Sequence, residues 1–471
     1  MVLPLALAQF IASYAATNMN VAISAIAEDL GTTVAGIQTA ITLFTLAMAA
    51  LMIAGSKLTD IWGRKRCFVI GLVVYGTGAL LASLAPGIGV LLVGYSLLEG
   101  IGSALMIPPI YILITVAFAD LGSRARYFGV VSGAGGLGAA AGPLIGGLVT
   151  SAISWRASFV VQFLVVAAIV ALARRIAEPA EHREAPRFDL VGAVLSAVGL
   201  FLVVYGILQS TTYGWFRSRV DFTVANTVVV SAGGISPVWL FLAAGVVVLA
   251  GFVLHVWSRE KAGKDPLLSL RLFGSRTSNL GLVTQLVQWL VLQGSFFVIS
   301  VFIQQVRGFD AVATGLLLTP ATVGILVSSA AAGRLAKRWP QATLVRTGFV
   351  MTTAGMALLL ALVRQESGVL TFVPGLLLMG LGVGVMLTAS VNVVQSSFGD
   401  EDQGDISGLS RSVSNLGSSL GTALAGSVLV AAARPGGGPF ALALATLGVI
   451  SLLGLVAAWF IPRTSAPRTG G

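Results

Sequence analysis

Apolar residues in this chain neither alternate nor confine themselves to one helical face. They run on for roughly 20 positions, stop at a short polar, glycine or proline break, and begin again. A helix of about 20 residues crosses a hydrocarbon core of ~30 Å, so each run predicts a membrane span. About fourteen are expected. Six lie near Pro4–Ile26, Ile37–Leu58, Cys67–Leu84, Val90–Val116, Tyr127–Ile153 and Ala157–Ala173. Two more follow near Leu190–Gln209 and Val238–Trp257, and six near Leu280–Val306, Val312–Leu335, Leu344–Val363, Leu370–Val394, Ile406–Ala432 and Phe440–Ile461. The expected fold is all-α and integral to a membrane. Its expected units are a six-helix block over 1–177, a linker with two inserted spans over 178–277, a second six-helix block over 278–462 and a tail over 463–471.

Composition agrees: 56% of residues are hydrophobic, 10% are charged, and the mean hydropathy is +0.95. No water-soluble domain keeps that much apolar surface from solvent. The net charge of +10 suggests nucleic acid in a soluble protein. Here the basic residues sit in short loops between apolar runs and read as topology signals. Arg64, Lys65, Arg66, Arg124, Arg126, Arg174, Arg175, Arg259, Lys261, Arg334, Lys337 and Arg338 fall on one side. The positive-inside rule makes that side cytoplasmic and, with an even span number, puts both termini there.

One cysteine, Cys67, and two distant histidines, His182 and His255, offer neither a disulfide nor a metal cluster. No cofactor is implied. No G-x-x-x-x-G-K-[ST] phosphate loop occurs, and no His/Asp/Ser grouping lies within a span, so neither a primary pump nor an enzyme is indicated. The lipid bilayer, a small amphipathic molecule and protons are the expected partners, nucleic acid is not, and the unit is read as a monomer.

The loop after span 2, Ser56 to Arg66, reads SKLTDIWGRKR, and the loop after span 10, Gly333 to Arg338, reads GRLAKR. Both follow the second span of a six-span block, which hints at two related halves around a midplane site. Span 5 carries GAAAGPLIGG from Gly138 to Gly147. Gly138, Gly142 and Gly146 make an i, i+4, i+8 stripe that lets a neighbouring helix come close, and Pro143 can kink the helix. These loop and glycine-proline motifs resemble the G-x-L-a-D-r-x-G-r-k loop and the antiporter helix of the major facilitator superfamily. Ser154, Trp155 and Arg156 after span 5 resemble its fourteen-span drug:proton antiporters. The resemblance runs the length of the chain. It implies alternating access, a cytoplasmic gate at Asp60, Gly63, Arg64 and Lys65, and a rocking helix at Gly138, Gly142, Pro143, Gly146 and Gly147.

Three positions depart from that pattern. The span 1 acid of the family is Ala15 here, although Thr17, Asn20 and Ala22 match; the span 4 arginine and glutamine are Ser96 and Glu99; the span 6 Asn-x-Pro begins at Gln162. Glu99 is then a carboxylate deep inside a span with no Lys or Arg at its depth. Burial favours the neutral form of such a group, and intramembrane acids are functional by default. Glu99 is therefore the candidate for proton or cation binding, and interhelical hydrogen bonding is the plainer alternative. Candidate cavity residues are Gln9, Ser13, Thr17 and Asn20 on span 1, Ser96 and Ser103 on span 4, Gln285 and Gln288 on span 9, and Asn392 on span 12. A neutral lining with one acid suits bulky apolar or weakly cationic compounds. The leading expectation is a proton-coupled exporter of drugs or similar amphipathic organics. The alternatives are a dedicated exporter of one endogenous lipid, amino acid or natural product, or a receptor or scaffold without transport.

Overall fold

The computed structural model describes residues 2–118, 121–174, 176, 188–224, 227–336, 338–364, 366–398, 403–431 and 438–462. The tail 463–471, linker residues 178–187 and the side chain of Asp60 lie outside the described residues. Among the described residues fourteen long helices form: α1 (Val2–Asn18), α2 (Val34–Trp62), α3 (Arg64–Ser83), α4 (88–117), α5 (Leu121–Ala152), α6 (Trp155–Ala173), α7 (Leu190–Tyr213), α8 (Pro237–Lys261), α9 (276–306), α10 (Ala311–Ala336), α11 (Gln341–Leu362), α12 (Val373–Gln395), α13 (Gln403–Ala431) and α14 (Gly438–Trp459). Twelve helices among the described residues are long and apolar enough to span, thirteen if bent α5 counts as one span. The expected fourteenth corresponds to α13, which is long but serine-rich. Ser410, Ser412, Ser414, Ser418, Ser419 and Ser427 are all buried, so protein, not lipid, surrounds much of this helix, and a hydropathy criterion for lipid exposure does not describe it.

Two blocks pack alike. In the first, α1 lies on α5, α4 on both α2 and α3, and α3 on α6. In the second, α9 lies on α13, α12 on both α10 and α11, and α11 on α14. Adding eight to each helix number of the first set gives the second, so the repeat hinted at by the two loops is a repeat of packing. The seams between blocks obey the same relation: α2 meets α13, and α5 meets α10. The inserted α7 and α8 pair with each other, and α7 touches both α2 and α13, so this hairpin covers one seam.

Local sequence sets the breaks. Gly63 turns the chain from α2 to α3 at φ +92°, a left-handed region that glycine enters without steric cost. Span 1 is not one helix to Ile26 as expected: α1 ends at Asn18, a 3₁₀ turn covers Met19–Val21, and a short helix covers Ile23–Asp29. The loop between α7 and α8 holds a two-stranded antiparallel hairpin, Phe222–Val224 with Thr227–Val230, a small exception to an all-α chain. Exposed apolar side chains such as Val246, Val247 and Leu254 on α8 form the surface lipid requires.

The helices define two ends of the molecule. The basic end carries Lys57, Arg64, Lys65, Arg259 and Arg334; the far end carries the end of α1 and the starts of α2 and α6.

Candidate functional site

Glu99 ends a π-helical stretch, Leu92–Glu99, inside α4. Such stretches widen the turn and recur at functional sites. The carboxyl is 0% exposed. Tyr75 of α3 and Tyr95 of α4 face it. Tyr75 gives its hydroxyl proton to Gln162 Oε1 at 2.6 Å, and neither carboxyl oxygen of Glu99 has a hydrogen-bond partner. A protonated Glu99 finds an acceptor in the Tyr75 hydroxyl oxygen, whereas an anion there has no cation facing it. Buried charge without a partner is expensive.

The neighbours connect the positions where the chain departs from the family pattern. Tyr95 donates to the Ala15 carbonyl at 3.2 Å, and Tyr75 to Gln162. Around them Tyr14 bonds Ser158 at 2.7 Å and Asn18 donates to Ser158 at 3.0 Å. Tyr14, Tyr75, Tyr95 and Ser158 escaped sequence reasoning; their signal is a hydroxyl inside an otherwise apolar run. Ser96 and Ser103 sit with Glu99 inside the first block, 2% and 0% exposed. Ser96 donates to the Ala40 carbonyl of α2 at 2.8 Å, and the Ser103 hydroxyl is unpartnered.

The antiporter-type helix divides its residues between two partners. A methyl at Gly138 would strike the Phe10 carbonyl, at Gly142 the Thr17 hydroxyl, and at Gly146 would lie 3.0 Å from Asn18 Cβ, all on α1. A methyl at Gly147 would strike the Ala311 carbonyl of α10, and one at Gly315 the Pro143 carbonyl. Small residues over about two and a half turns therefore seat α5 on its own block and on the other. The 41° bend of α5 lies between Ala139 and Ala141. Pro143 has no N–H to offer the carbonyl four residues back, and Thr17 donates to that Ala139 carbonyl at 3.1 Å. Thr17 thus satisfies the group the proline orphans.

Other expected lining residues tie helices together. Gln285 accepts from Ser410 and Gln288 from Ser390, each at 2.9 Å. Gln9 donates to Ser13 at 3.4 Å, and Ser13 and Asn392 are half-buried. The Asn20 side chain is 1% exposed and unpartnered, while its carbonyl accepts from Gln304 at 2.9 Å. Gln304 also accepts from Ser24 N–H at 3.0 Å, and Gln293 donates to the Ala16 carbonyl at 3.1 Å. Two glutamines of α9 therefore hold the blocks together toward the far end. Nothing in the sequence alone pointed to this interblock role.

At the basic end Lys65 donates to the Ile176 carbonyl at 2.6 Å, fixing the start of α3 to the chain beyond α6. Lys57 pairs with Asp405 at 2.8 Å, and Arg411 with the Tyr111 hydroxyl, so α2 and α4 of one block meet α13 of the other. A cavity of about 510 Å³ opens beside this pair between Lys57, Asp189, Lys264 and Asp405. Asp189, N-cap of α7, takes bonds from Gly192 N–H at 3.0 Å, His255 at 2.9 Å and Leu267 N–H at 3.2 Å. Burial opposes its charge, yet the Gly192 and His255 bonds prevail and hold its carboxyl below the usual range. At the far end Arg156 and Trp155 both bond Asp29, and the Arg156 bond leads in lowering that carboxyl.

Paired blocks, seams related by the same repeat and a glycine-proline helix at one seam describe one transporter architecture. The Major Facilitator Superfamily profile matches residues 5–236 and 222–422. The chain belongs to this superfamily. Among its relatives, a probable actinorhodin transporter of Streptomyces coelicolor is 30% identical over 88% of this chain and 69% of its own. A tetracenomycin C resistance and export protein of Streptomyces glaucescens is 29% identical over 87% and 72%. The multidrug efflux pump LfrA of Mycolicibacterium smegmatis is 27% identical over 88% and 77%. The chain is a multi-pass membrane protein of the superfamily's two-block type.

Proposed function

We propose that this protein exports drugs or other amphipathic organic compounds by alternating access, driven by proton exchange, with Glu99 as the proton-binding group. One observation carries the proton assignment: a fully buried carboxyl in a π-helical turn, with no hydrogen-bond partner on either oxygen. A group so placed changes charge state when its access to water changes, and alternating access supplies that change. The relatives named for multidrug efflux and antibiotic export support the substrate class.

In this reading the basic end is cytoplasmic, both termini lie there, and the membrane is the bacterial cytoplasmic membrane. Gly63, Arg64 and Lys65, with Asp60, form the gate loop. Gly138, Gly142, Pro143, Gly146 and Gly147 let α5 rock against α1 and α10. The working unit is a monomer of two blocks, 1–177 and 278–462, with the inserted pair between. Ser13 and Asn392 are the candidate lining residues that remain partly accessible.

A dedicated exporter is the second reading, favoured because two of the relatives are named for single natural products. Purified protein in liposomes under an imposed pH gradient tests the choice. Gradient-driven efflux of ethidium supports broad export. No ethidium flux, with gradient-driven flux of one polycyclic natural product, supports the dedicated reading. Flux of neither counts against both.

A further inference from the structure

The blocks meet through α2 and α13, α5 and α10, α4 and α13, and α1 and α9. Acids are scarce along this plane. The helices α1, α5, α9 and α10 hold none, α2 holds Asp60 at its basic end, α4 holds Glu99, and α13 holds Asp405. A cation nevertheless lies deep in it. Arg411 stands eight residues beyond the start of α13, about 12 Å along the helix axis. Other basic side chains of these helices, such as Lys57 and Arg334, lie closer to the helix ends.

Packing fixes the side of α13 on which Arg411 stands. Val413 joins an apolar cluster with Ala193 of α7 and Phe252 of α8, and Leu420 joins one with Ile207 and Leu208 of α7. At about 100° per residue, Arg411 lies about 200° from Val413 and about 180° from Leu420. It is therefore turned away from the inserted hairpin, into the space between the blocks, where it is half-buried. Its guanidinium carbon lies 5.3 Å from the ring centre of Tyr111 on α4, and the group donates to the Tyr111 hydroxyl. An aromatic face and a hydroxyl oxygen both attract a cation, but neither carries a negative charge. Asp405 is paired with Lys57, and neither oxygen of Glu99 has a hydrogen-bond partner. Among the described residues no carboxylate neutralises Arg411. A guanidinium is a planar fork of donors that matches an oxyanion, and an ionisable group inside a membrane helix is a candidate functional site.

We propose that Arg411 binds the acidic group of the exported compound, a carboxylate or ionised phenol on an apolar aromatic body, as the compound enters between the blocks from the basic end. The inference rests on the export reading and adds the charge class of the substrate. In this structure Tyr111 covers the guanidinium where α4 meets α13. Parting of the blocks at the basic end draws α4 from α13 and uncovers the guanidinium for the anion. Asn415, one turn deeper on the same face and half-buried, continues the polar stripe inward. A fixed cation that attracts an anion also repels a cationic competitor, so one residue sorts compounds of equal shape by charge.

The test measures binding of three ligands of one shape to the full chain in lipid nanodiscs, with empty discs subtracted: anthracene-9-carboxylate, its neutral amide and the cationic 9-aminomethylanthracene. The unaltered protein should bind the carboxylate about tenfold or more tighter than the amide, as charge-assisted hydrogen bonds require, and the amine most weakly. Arg411→Gln should bring the carboxylate-to-amide ratio to about one. Arg411→Lys should keep part of the preference. Tyr111→Phe breaks the same interblock bond but keeps the cation, and should keep the preference. The readout is a ratio within each protein, so a variant that only loosens the fold or the closure of the blocks weakens both ligands alike. A ratio near one in the unaltered protein, no binding of the carboxylate, or an unchanged ratio in Arg411→Gln overturns the assignment. Each of these leaves the export reading standing, because that reading fails separately, when a pH gradient moves neither ethidium nor a polycyclic natural product.

Discussion

Replacing Gln304 by alanine should open the far end. Its amide is 7% exposed and spans the two blocks, donating to the Asn20 carbonyl at 2.9 Å and accepting from Ser24 N–H at 3.0 Å. The alanine variant leaves two buried backbone groups unpaired in the state where the far ends touch, and water satisfies them once the ends part. At about 1 kcal/mol for each bond, the far-closed state loses about 2 kcal/mol relative to the far-open state. That shifts the ratio of states by about thirtyfold, since 1.4 kcal/mol is a factor of about ten. Spin labels at Glu28 and Gln305, both exposed, in a Cys67→Ala background report the far-end separation by pulsed electron resonance. Cys67 is the one cysteine of the sequence, so its removal leaves a clean labelling background. The longer-distance population should rise strongly in Gln304→Ala. A change smaller than about twofold would mean that the bonds contribute little to closure and refute the reasoning.

The packing of α5 predicts a contrast between two glycines. Gly142→Ala places a methyl against the Thr17 hydroxyl and should cost about 1–3 kcal/mol of stability, read as a lowered melting temperature with reduced transport, whereas Gly133→Ala meets nothing within 4 Å and should leave both unchanged. Asp189 gives a pH signature. Its carboxyl is held below the usual range, so its stabilising contribution is complete above the unfolded value of about 3.9 and is lost as pH falls through the lower folded value; thermal melts of Asp189→Asn against pH should lose that acid-side slope. The Lys57–Asp405 pair, about a quarter exposed on each side, should contribute about 1 kcal/mol or less. Lys57→Glu should therefore lower the rate of ethidium efflux modestly, and adding Asp405→Lys should recover it.

Membrane class, the two-block plan and the motifs were legible because each rests on local composition. Runs of apolar residues give spans, and the spacing of Gly138, Gly142 and Gly146 gives a helix face. The division of that surface was not legible: Pro143 and Gly147 form a second i, i+4 stripe beside the first and serve α10, and which helix meets each stripe depends on how the blocks pack. Thr17 was chosen from its polarity, but its partner is the carbonyl that Pro143 orphans. Gln285 and Gln288 looked like lining and are bonded between helices, since a lone polar residue on a membrane helix satisfies itself on whichever neighbour packs against it. The interblock role of Gln293 and Gln304 was not legible because interblock contacts leave no period in the sequence. Glu99 stood out by depth alone. Its aromatic neighbours required three helices to be brought together, which no single-span pattern records.

In the proposed mechanism Glu99 couples proton movement to export. Its most direct test compares the unaltered protein with Glu99→Gln in liposomes, following ethidium efflux under an imposed pH gradient and, separately, ethidium exchange at equilibrium. Glu99→Gln should lose gradient-driven efflux and keep equilibrium exchange. Equal gradient-driven efflux by the two proteins would contradict it and make Glu99 a packing residue of the first block.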